Sequence, residues 1–295
     1  MNTKKLQGTG IALVTPFNKK LQVDFKALAK LLQFTNQGGV NYWVVHGTTG
    51  EAATTTFEEK QAILACILAN NPSKLPIVYG LGGNNTQDIL QTIRTLDFQN
   101  IDALLTVSPY YNKPSQQGIY LHYKAIADAS PVPIILYNVP SRTGTNIAAT
   151  TVLKLSQHPN IIGIKEAAGN LEQCIAIAKD KSPDFLLISG DDMLTVPMMA
   201  IGAVGVISSL ANSFPRQVFQ MVAAGLCHDY LTAKQYQFEL LAMHQLIAQG
   251  GNPVATKQFL AAQMLCKPYV RLPLVPANPA ITKPIHELIK QLSTK

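Results

Sequence analysis

Charge is scarce in this chain: 14% of its 295 residues are Asp, Glu, Lys or Arg, against 47% hydrophobic. That balance excludes a disordered polymer and leaves enough apolar side chain for one large buried core or two small ones. Long apolar runs are missing too. No stretch approaches the roughly eighteen uninterrupted apolar residues of a membrane-crossing helix. The opening Met1-Asn2-Thr3-Lys4-Lys5-Leu6-Gln7-Gly8 leads into mixed polar sequence with no apolar signal core. A cytoplasmic location with no membrane partner is expected.

Cysteine is sparse and unpatterned. Cys66, Cys174, Cys227 and Cys266 stand far apart with no Cys-x-x-Cys spacing, which argues against a metal or redox pair and for small core hydrophobes. His286-Glu287-Leu288-Ile289-Lys290 lacks the second histidine of a zinc-protease helix. No metal and no cofactor are expected. The net charge of +7 is spread thinly, since Lys4/Lys5 and Lys19/Lys20 never extend into a basic stripe with interleaved aromatics. This reads as a solvated surface with no nucleic-acid partner, whose positive potential draws small anionic substrates.

What is present is repetition. Short apolar, β-branched runs recur at 10–17, 42–47, 76–82, 103–109, 133–140, 161–167, 185–191 and 205–212. Helical patterns lie between them: Thr56 with Glu59 forms a capping box, and Phe25, Leu28 and Leu32 share one helix face until Gly38-Gly39. Near-continuous apolar strands alternating with amphipathic helices imply a parallel sheet covered on both faces. Eight such units predict an α/β protein with a TIM (β/α)8 barrel over residues 1–228, and a doubly wound open sheet is the alternative. From Asp229 the alternation stops. Helices are predicted at 230–249, 253–265 and 280–292 around a proline-rich stretch at 268–279, giving a C-terminal helical extension over 229–295 that covers a flank of the barrel or joins subunits.

The chemistry collects at the predicted C-terminal ends of the strands, where such barrels carry their sites. The sixth run, Ile161-Ile162-Gly163-Ile164-Lys165-Glu166-Ala167, closes on a lysine. Burial disfavours an ammonium, and a neutral amine attacks a carbonyl to give a Schiff base. The plainer reading makes Lys165 a wet strand end paired with Glu166 or Glu51. If Lys165 points inward, Gly163 lies on the same face and leaves barrel space for a ketoacid. Other reactive ends are Gly47-Thr48-Thr49-Gly50-Glu51, Ser108-Pro109-Tyr110-Tyr111-Asn112 and Tyr137-Asn138-Val139-Pro140-Ser141-Arg142. Singly these are a turn, packing tyrosines and a loop charge; together on one rim they make a candidate site. Gly80-Leu81-Gly82-Gly83-Asn84-Asn85-Thr86 opens a helix like a phosphate cradle but lacks the dinucleotide-binding spacing. Asp191-Asp192 reads as a strand-end loop with Asp192 near a helix start rather than a metal pair.

The motifs Gly47–Glu51, Tyr137–Gly144 and Ile161–Ala167, joined by Pro109–Pro114, Ser189–Asp192 and Gly205–Ser208, resemble those of the dihydrodipicolinate synthase family across essentially the whole chain. The glycine-threonine motif and the lysine strand mark the wider pyruvate-dependent lyases, which include N-acetylneuraminate lyase and keto-sugar-acid aldolases, while the Tyr-Asn-Val-Pro-Ser-Arg-Thr-Gly run is more specific. The resemblance implies a Schiff-base lyase of lysine biosynthesis that condenses pyruvate with L-aspartate-4-semialdehyde. It further implies Lys165 as the Schiff-base lysine and Tyr137, Thr48 and Tyr111 as a hydroxyl relay, with Tyr111 reaching in from a neighbouring subunit. Thr49 and the backbone of Ile207 would hold pyruvate, Arg142 would hold the semialdehyde carboxylate, and the assembly would be a homotetramer, a dimer of dimers. Members that respond to L-lysine carry a set of side chains that this chain matches in part. Asn84 and Tyr110 fit, but Ala52, Phe57, Lys60 and Asp88 depart from it, and Lys60 brings positive charge toward a cationic effector, so weak or absent inhibition is expected.

Overall fold

Each of the eight apolar runs contributes one strand: β1 (Gly8–Ala12), β2 (Tyr42–Val45), β3 (Ile77–Gly80), β4 (Ala103–Val107), β5 (Ile134–Asn138), β6 (Ile161–Glu166), β7 (Leu186–Ser189) and β8 (Gly205–Ser208). A computed structural model describes residues 3–292, and in it these strands pair in parallel, each with the next. The alternative of an open sheet is excluded by closure, because β1 pairs with β8 in the register Gly8↔Gly205 to Ile11↔Ser208. The strands are shorter than the runs. Residues 13–17, for instance, leave the ladder for the rim, where Phe17 forms an isolated antiparallel bridge with Val23.

Two apolar layers follow from parallel strands buried on both faces. Between strands and helices lies a core that includes Ile11, Leu31, Trp43, Leu104, Ile134, Ile164 and Leu187. Inside the barrel a second core stacks Tyr42, Val44, Val78, Leu105, Ile135, Ile162, Leu186, Ile188 and Ile207. The inner layer fills the barrel, and a cavity opens at the C-terminal ends of its strands.

Helix ends follow local chemistry. The Thr56–Glu59 capping box is present ahead of the helix Phe57–Ala69, with Glu59 N donating to Thr56 Oγ1 at 3.2 Å and Thr56 N to Glu59 Oε2 at 3.0 Å. The helix Phe25–Gln37 buries Leu28, Leu31 and Leu32, while Phe25, on the same side as Leu32 but in the first turn, is 41% exposed. Past the last barrel strand come Pro215–Leu226 and then the helices Tyr230–Glu239, Leu241–Gly250, Val254–Ala262 and Pro279–Leu292. The single helix expected at 230–249 is two, joined at the buried Leu240, and the helix expected at 253–265 ends early where Met264 turns into a left-handed conformation (φ +58°). Cys174 and Cys266 are buried, whereas Cys227 is exposed and Cys66 half-buried, so the expectation of four core cysteines holds for two. Among the described residues no helix is long and apolar enough to cross a membrane.

Candidate active site

A cavity of about 360 Å³ opens at the C-terminal ends of the strands. The sequence-predicted residues Thr48, Thr49, Tyr137, Arg142, Lys165 and Ile207 all line it. Strand geometry explains why. Tyr137 and Lys165 are register partners on β5 and β6, so their side chains leave neighbouring strands side by side on the inner face, and Lys165 Nζ lies 4.5 Å from the centroid of the Tyr137 ring. Lys165 is 6% exposed and, among the described residues, makes no hydrogen bond or ion pair. Thr48 and Thr49 sit in the tight turn after β2, where Gly50 N donates to Gly47 O at 3.1 Å.

Neither carboxylate offered as a partner for Lys165 serves as one. Glu166 follows on the strand and therefore points to the opposite face. There it accepts from Asn138 Nδ2 (3.1 and 3.0 Å), Gln173 Nε2 (2.9 Å) and Ala168 N (2.8 Å), and burial pushes its carboxyl above the ordinary value. Glu51 turns the other way, toward the helix Val254–Ala262, and pairs with Lys257 at 2.5 Å. The reading of Gly163 also needs correcting. A Cβ there would meet Leu186 O at 2.6 Å and Leu186 Cβ at 2.7 Å, so Gly163 admits the neighbouring strand rather than a ketoacid. The glycine that makes room at the site is Gly190 after β7, where a Cβ would lie 3.0 Å from both Cγ and Cε of Lys165.

Tyr111 is not brought to the cavity of its own chain. It is 84% exposed on the loop after β4, in a left-handed backbone conformation (φ +77°). Asp191 and Asp192 lie on the cavity wall beyond β7, and no metal-binding cluster occurs among the described residues. Asp192 Oδ2 instead accepts from Ser209 N, Ser209 Oγ and Leu210 N, each at 3.2 Å, tying the end of β7 to that of β8.

Sequence reasoning missed the residues supplied by the C-terminal helices. His244, Ile247, Gly251 and Asn252 close one side of the cavity. Asn252 Nδ2 donates to Thr49 Oγ1 at 2.9 Å, and its carbonyl accepts from Arg142 Nη2 at 3.2 Å. Just beyond, the Lys257 ammonium is fully buried, bonded to Glu51 and to Tyr269 O (2.9 Å) and set 4.1 Å above the Phe17 ring. Arg271 adds a backbone bond to Glu51 Oε2 (3.0 Å), a two-pronged bond to Glu59 and a donation to Thr54 O (2.7 Å). That guanidinium holds the Glu59 carboxyl below its ordinary value. The cluster pins the turn bearing Thr48 and Thr49, whose last residue Glu51 is left-handed (φ +54°), a conformation costing a non-glycine residue about 1–3 kcal/mol. Two sequence signals pointed here: the Gly250-Gly251-Asn252-Pro253 joint, and a lysine inside the otherwise uncharged helix Val254–Ala262.

A separate cavity of about 370 Å³ is lined by Phe57, Lys60, Asn84, Asp88, Tyr110 and the glycine-rich loop at 80–83. The loop leads to Asn85, which caps the helix Thr86–Thr95 by accepting from Gln87 N at 3.1 Å. Beside it His46 is buried with both ring nitrogens unpartnered, and burial, helped by the Lys60 charge, lowers its pKa to about 3.

The same architecture and ordering recur in known proteins. The chain is 48% identical over 271 residues to the 4-hydroxy-tetrahydrodipicolinate synthase of Cytophaga hutchinsonii, covering 92% of this chain and 91% of the relative. It is 45% identical over 291 residues to the Parabacteroides distasonis protein of the same name, covering 98% of each. Among solved structures, the dihydrodipicolinate synthase from Acinetobacter baumannii, complexed with pyruvate, superposes with a TM-score of 0.94 at 36% identity over 97% of this chain and 99% of that one. A model of the dihydrodipicolinate synthetase family matches residues 5–292, nearly everything the structure describes, and the chain belongs to that family.

Proposed function

We propose that this enzyme, a lyase of the family's type, condenses pyruvate with L-aspartate-4-semialdehyde through a Schiff base on Lys165. One observation carries the assignment: a lysine buried on the inner barrel wall faces the cavity without a carboxylate to neutralise it. In its neutral form Nζ attacks the keto carbon of pyruvate and water leaves, giving an imine. The protonated imine takes up the electron pair as a methyl proton departs, and an enamine forms. Its terminal carbon attacks the aldehyde carbon, making the carbon–carbon bond while the aldehyde oxygen takes a proton. The substrate's own amino group then attacks the imine carbon and displaces Lys165, closing the ring of 4-hydroxy-tetrahydrodipicolinate.

Tyr137 and Thr48 line the cavity beside the lysine and move these protons as hydroxyls, which donate and accept without leaving a buried charge. Tyr111 completes the relay in a neighbouring subunit, which is why it stands exposed in one chain and why the assembly is at least a dimer, in the family manner a dimer of dimers. Thr49 and the Ile207 backbone hold the pyruvate carboxylate, and Arg142, whose guanidinium is exposed at the cavity wall, holds that of the semialdehyde. Residues 1–228 act as the barrel domain and 229–295 as an extension that seals the site. We place the enzyme in the cytoplasm. The cavity bearing Lys60 gives weak or no inhibition by L-lysine; a potent, saturable effect at low concentration would contradict that.

The experiment is the rate of pyruvate consumption by purified protein with L-aspartate-4-semialdehyde, beside N-acetylmannosamine and simple sugar aldehydes. Fast turnover confined to the semialdehyde is expected. Preference for a sugar would keep the Lys165 chemistry and overturn the substrate.

A further inference from the structure

We propose that Asn252 is a positioning residue that fixes the polarity of the Thr49 hydroxyl, so that Thr49 meets the ketoacid carboxylate only as a donor. This rests on the reading that Thr49 holds that carboxylate. A hydroxyl donates one hydrogen bond and accepts up to two, so what it offers a ligand depends on its other partner. Thr49 is 3% exposed and faces the cavity. Its partner is the side-chain amide of Asn252, whose Nδ2 lies 2.9 Å from Thr49 Oγ1. In this orientation the amide uses both of its ends, since Thr256 Oγ1, on the first turn of the helix Val254–Ala262, donates to Asn252 Oδ1 at 3.3 Å. An NH₂ group can only donate. The Thr49 oxygen is therefore engaged as an acceptor, and its proton is left to point into the cavity at a group that can only accept.

The same residue reaches the second anion holder through its main chain, since Asn252 O accepts from Arg142 Nη2 at 3.2 Å. A change of side chain at 252 leaves that bond in place. The Asn252 side chain accordingly acts on the pyruvate end of the reaction and its backbone on the aldehyde end.

Two substitutions separate this from a merely structural role. Asn252→Ala removes the donor and frees the Thr49 hydroxyl to rotate. Asn252→Asp reverses the bond: a carboxylate accepts the Thr49 proton and turns oxygen lone pairs, with a nearby negative charge, toward the pyruvate carboxylate. The measurements are KM for each substrate and the pyruvate concentration that half-saturates borohydride trapping, which needs no aldehyde. Asn252→Ala should raise the pyruvate values about tenfold, the loss of one hydrogen bond to a charged ligand, and leave KM for the semialdehyde within about twofold. Asn252→Asp should be worse, about 100-fold on pyruvate, as expected for an added like charge. Thr256→Val, which releases the amide without touching the cavity, should give a smaller rise confined to pyruvate, and it carries the test if the Asn252 variants do not fold. Equal KM increases for both substrates, Asn252→Asp no worse than Asn252→Ala, or no pyruvate effect in Thr256→Val would overturn the proposal. A wild-type protein that traps no pyruvate would instead bring down the Schiff-base reading, and this proposal with it.

Discussion

Among the described residues two lysines are buried, Lys165 on a barrel strand and Lys257 on a helix of the C-terminal extension, and their surroundings differ in the one respect that matters for reactivity. Lys257 is fully enclosed, paired with Glu51, bonded to a carbonyl and seated over an aromatic ring. Burial pulls its ammonium below the ordinary pKa, and Glu51 opposes that pull. Lys165 is nearly as buried but has only the Tyr137 ring beside it, and its amine faces an open cavity. Burial alone does not make a lysine a nucleophile; an amine with no anion bonded to it, next to space for a carbonyl, is free to attack. On the function proposed above, one lysine holds the turn bearing Thr48 and Thr49 in place and the other uses the site thus held.

The comparison breaks most sharply on substitution. Lys165→Met should lower turnover by about 10⁴-fold or more, as loss of a covalent nucleophile does, while its urea midpoint stays at or above that of the wild type, since an unpaired polar end is exchanged for an apolar one. Lys257→Met should do the reverse to stability. It strands the Glu51 carboxylate in the interior at a cost of about 3–5 kcal/mol, and Glu51→Gln added to it should recover part of that loss in a double-mutant cycle read by urea denaturation. A Lys165→Met protein destabilised as much as Lys257→Met would erase the distinction.

The role assigned to Tyr111 gives an intermediate effect. Tyr111→Phe should cut turnover about 10²-fold, the scale of one proton-transfer partner, while Lys165 still traps pyruvate. Loss of the adduct in a folded variant would contradict the relay.

How much of this was legible in the sequence depended on the range of the interaction. The eight strands, the capping box and the cluster of reactive strand ends were readable because periodicity, caps and the barrel rule are local or repeat along the chain. Glu51 and Lys257 are 206 positions apart, and Thr49 and Asn252 are 203 apart, so nothing local announces either contact. Gly163 shows the same limit in small. Its lack of a side chain was visible, but which neighbour fills the space depended on the inter-strand packing, and the room for Lys165 came from Gly190, just past the end of another strand. The relay role of Tyr111 came through resemblance alone, and a single chain leaves it outside the cavity.

The smallest effect sharpens the comparison by testing what burial does to a base that has no opposite charge beside it. His46 and His122 are buried, and burial lowers their pKa values to about 3 and about 4, below the ordinary 6.5. The folded protein keeps them neutral while the unfolded chain binds protons below pH 6.5, so their contribution is full above that pH and declines as the pH falls toward 4 and 3. Between pH 6 and 5 the unfolding free energy should drop by about 1.4 kcal/mol per pH unit for each histidine. His122→Gln should roughly halve that slope in urea titrations, and an unchanged slope would show that His122 is not held neutral.

The central claim is that the unpaired lysine, and not the paired one, carries the chemistry. Its most direct test is to treat the protein with pyruvate and borohydride, digest it, and map the modified residue by mass. One reduced pyruvate per chain on the peptide bearing Lys165, absent from Lys165→Met and present in Lys257→Met that has been kept folded at low temperature, is the predicted result. An adduct on Lys257 or on another lysine, or none on the wild-type protein, would contradict the account.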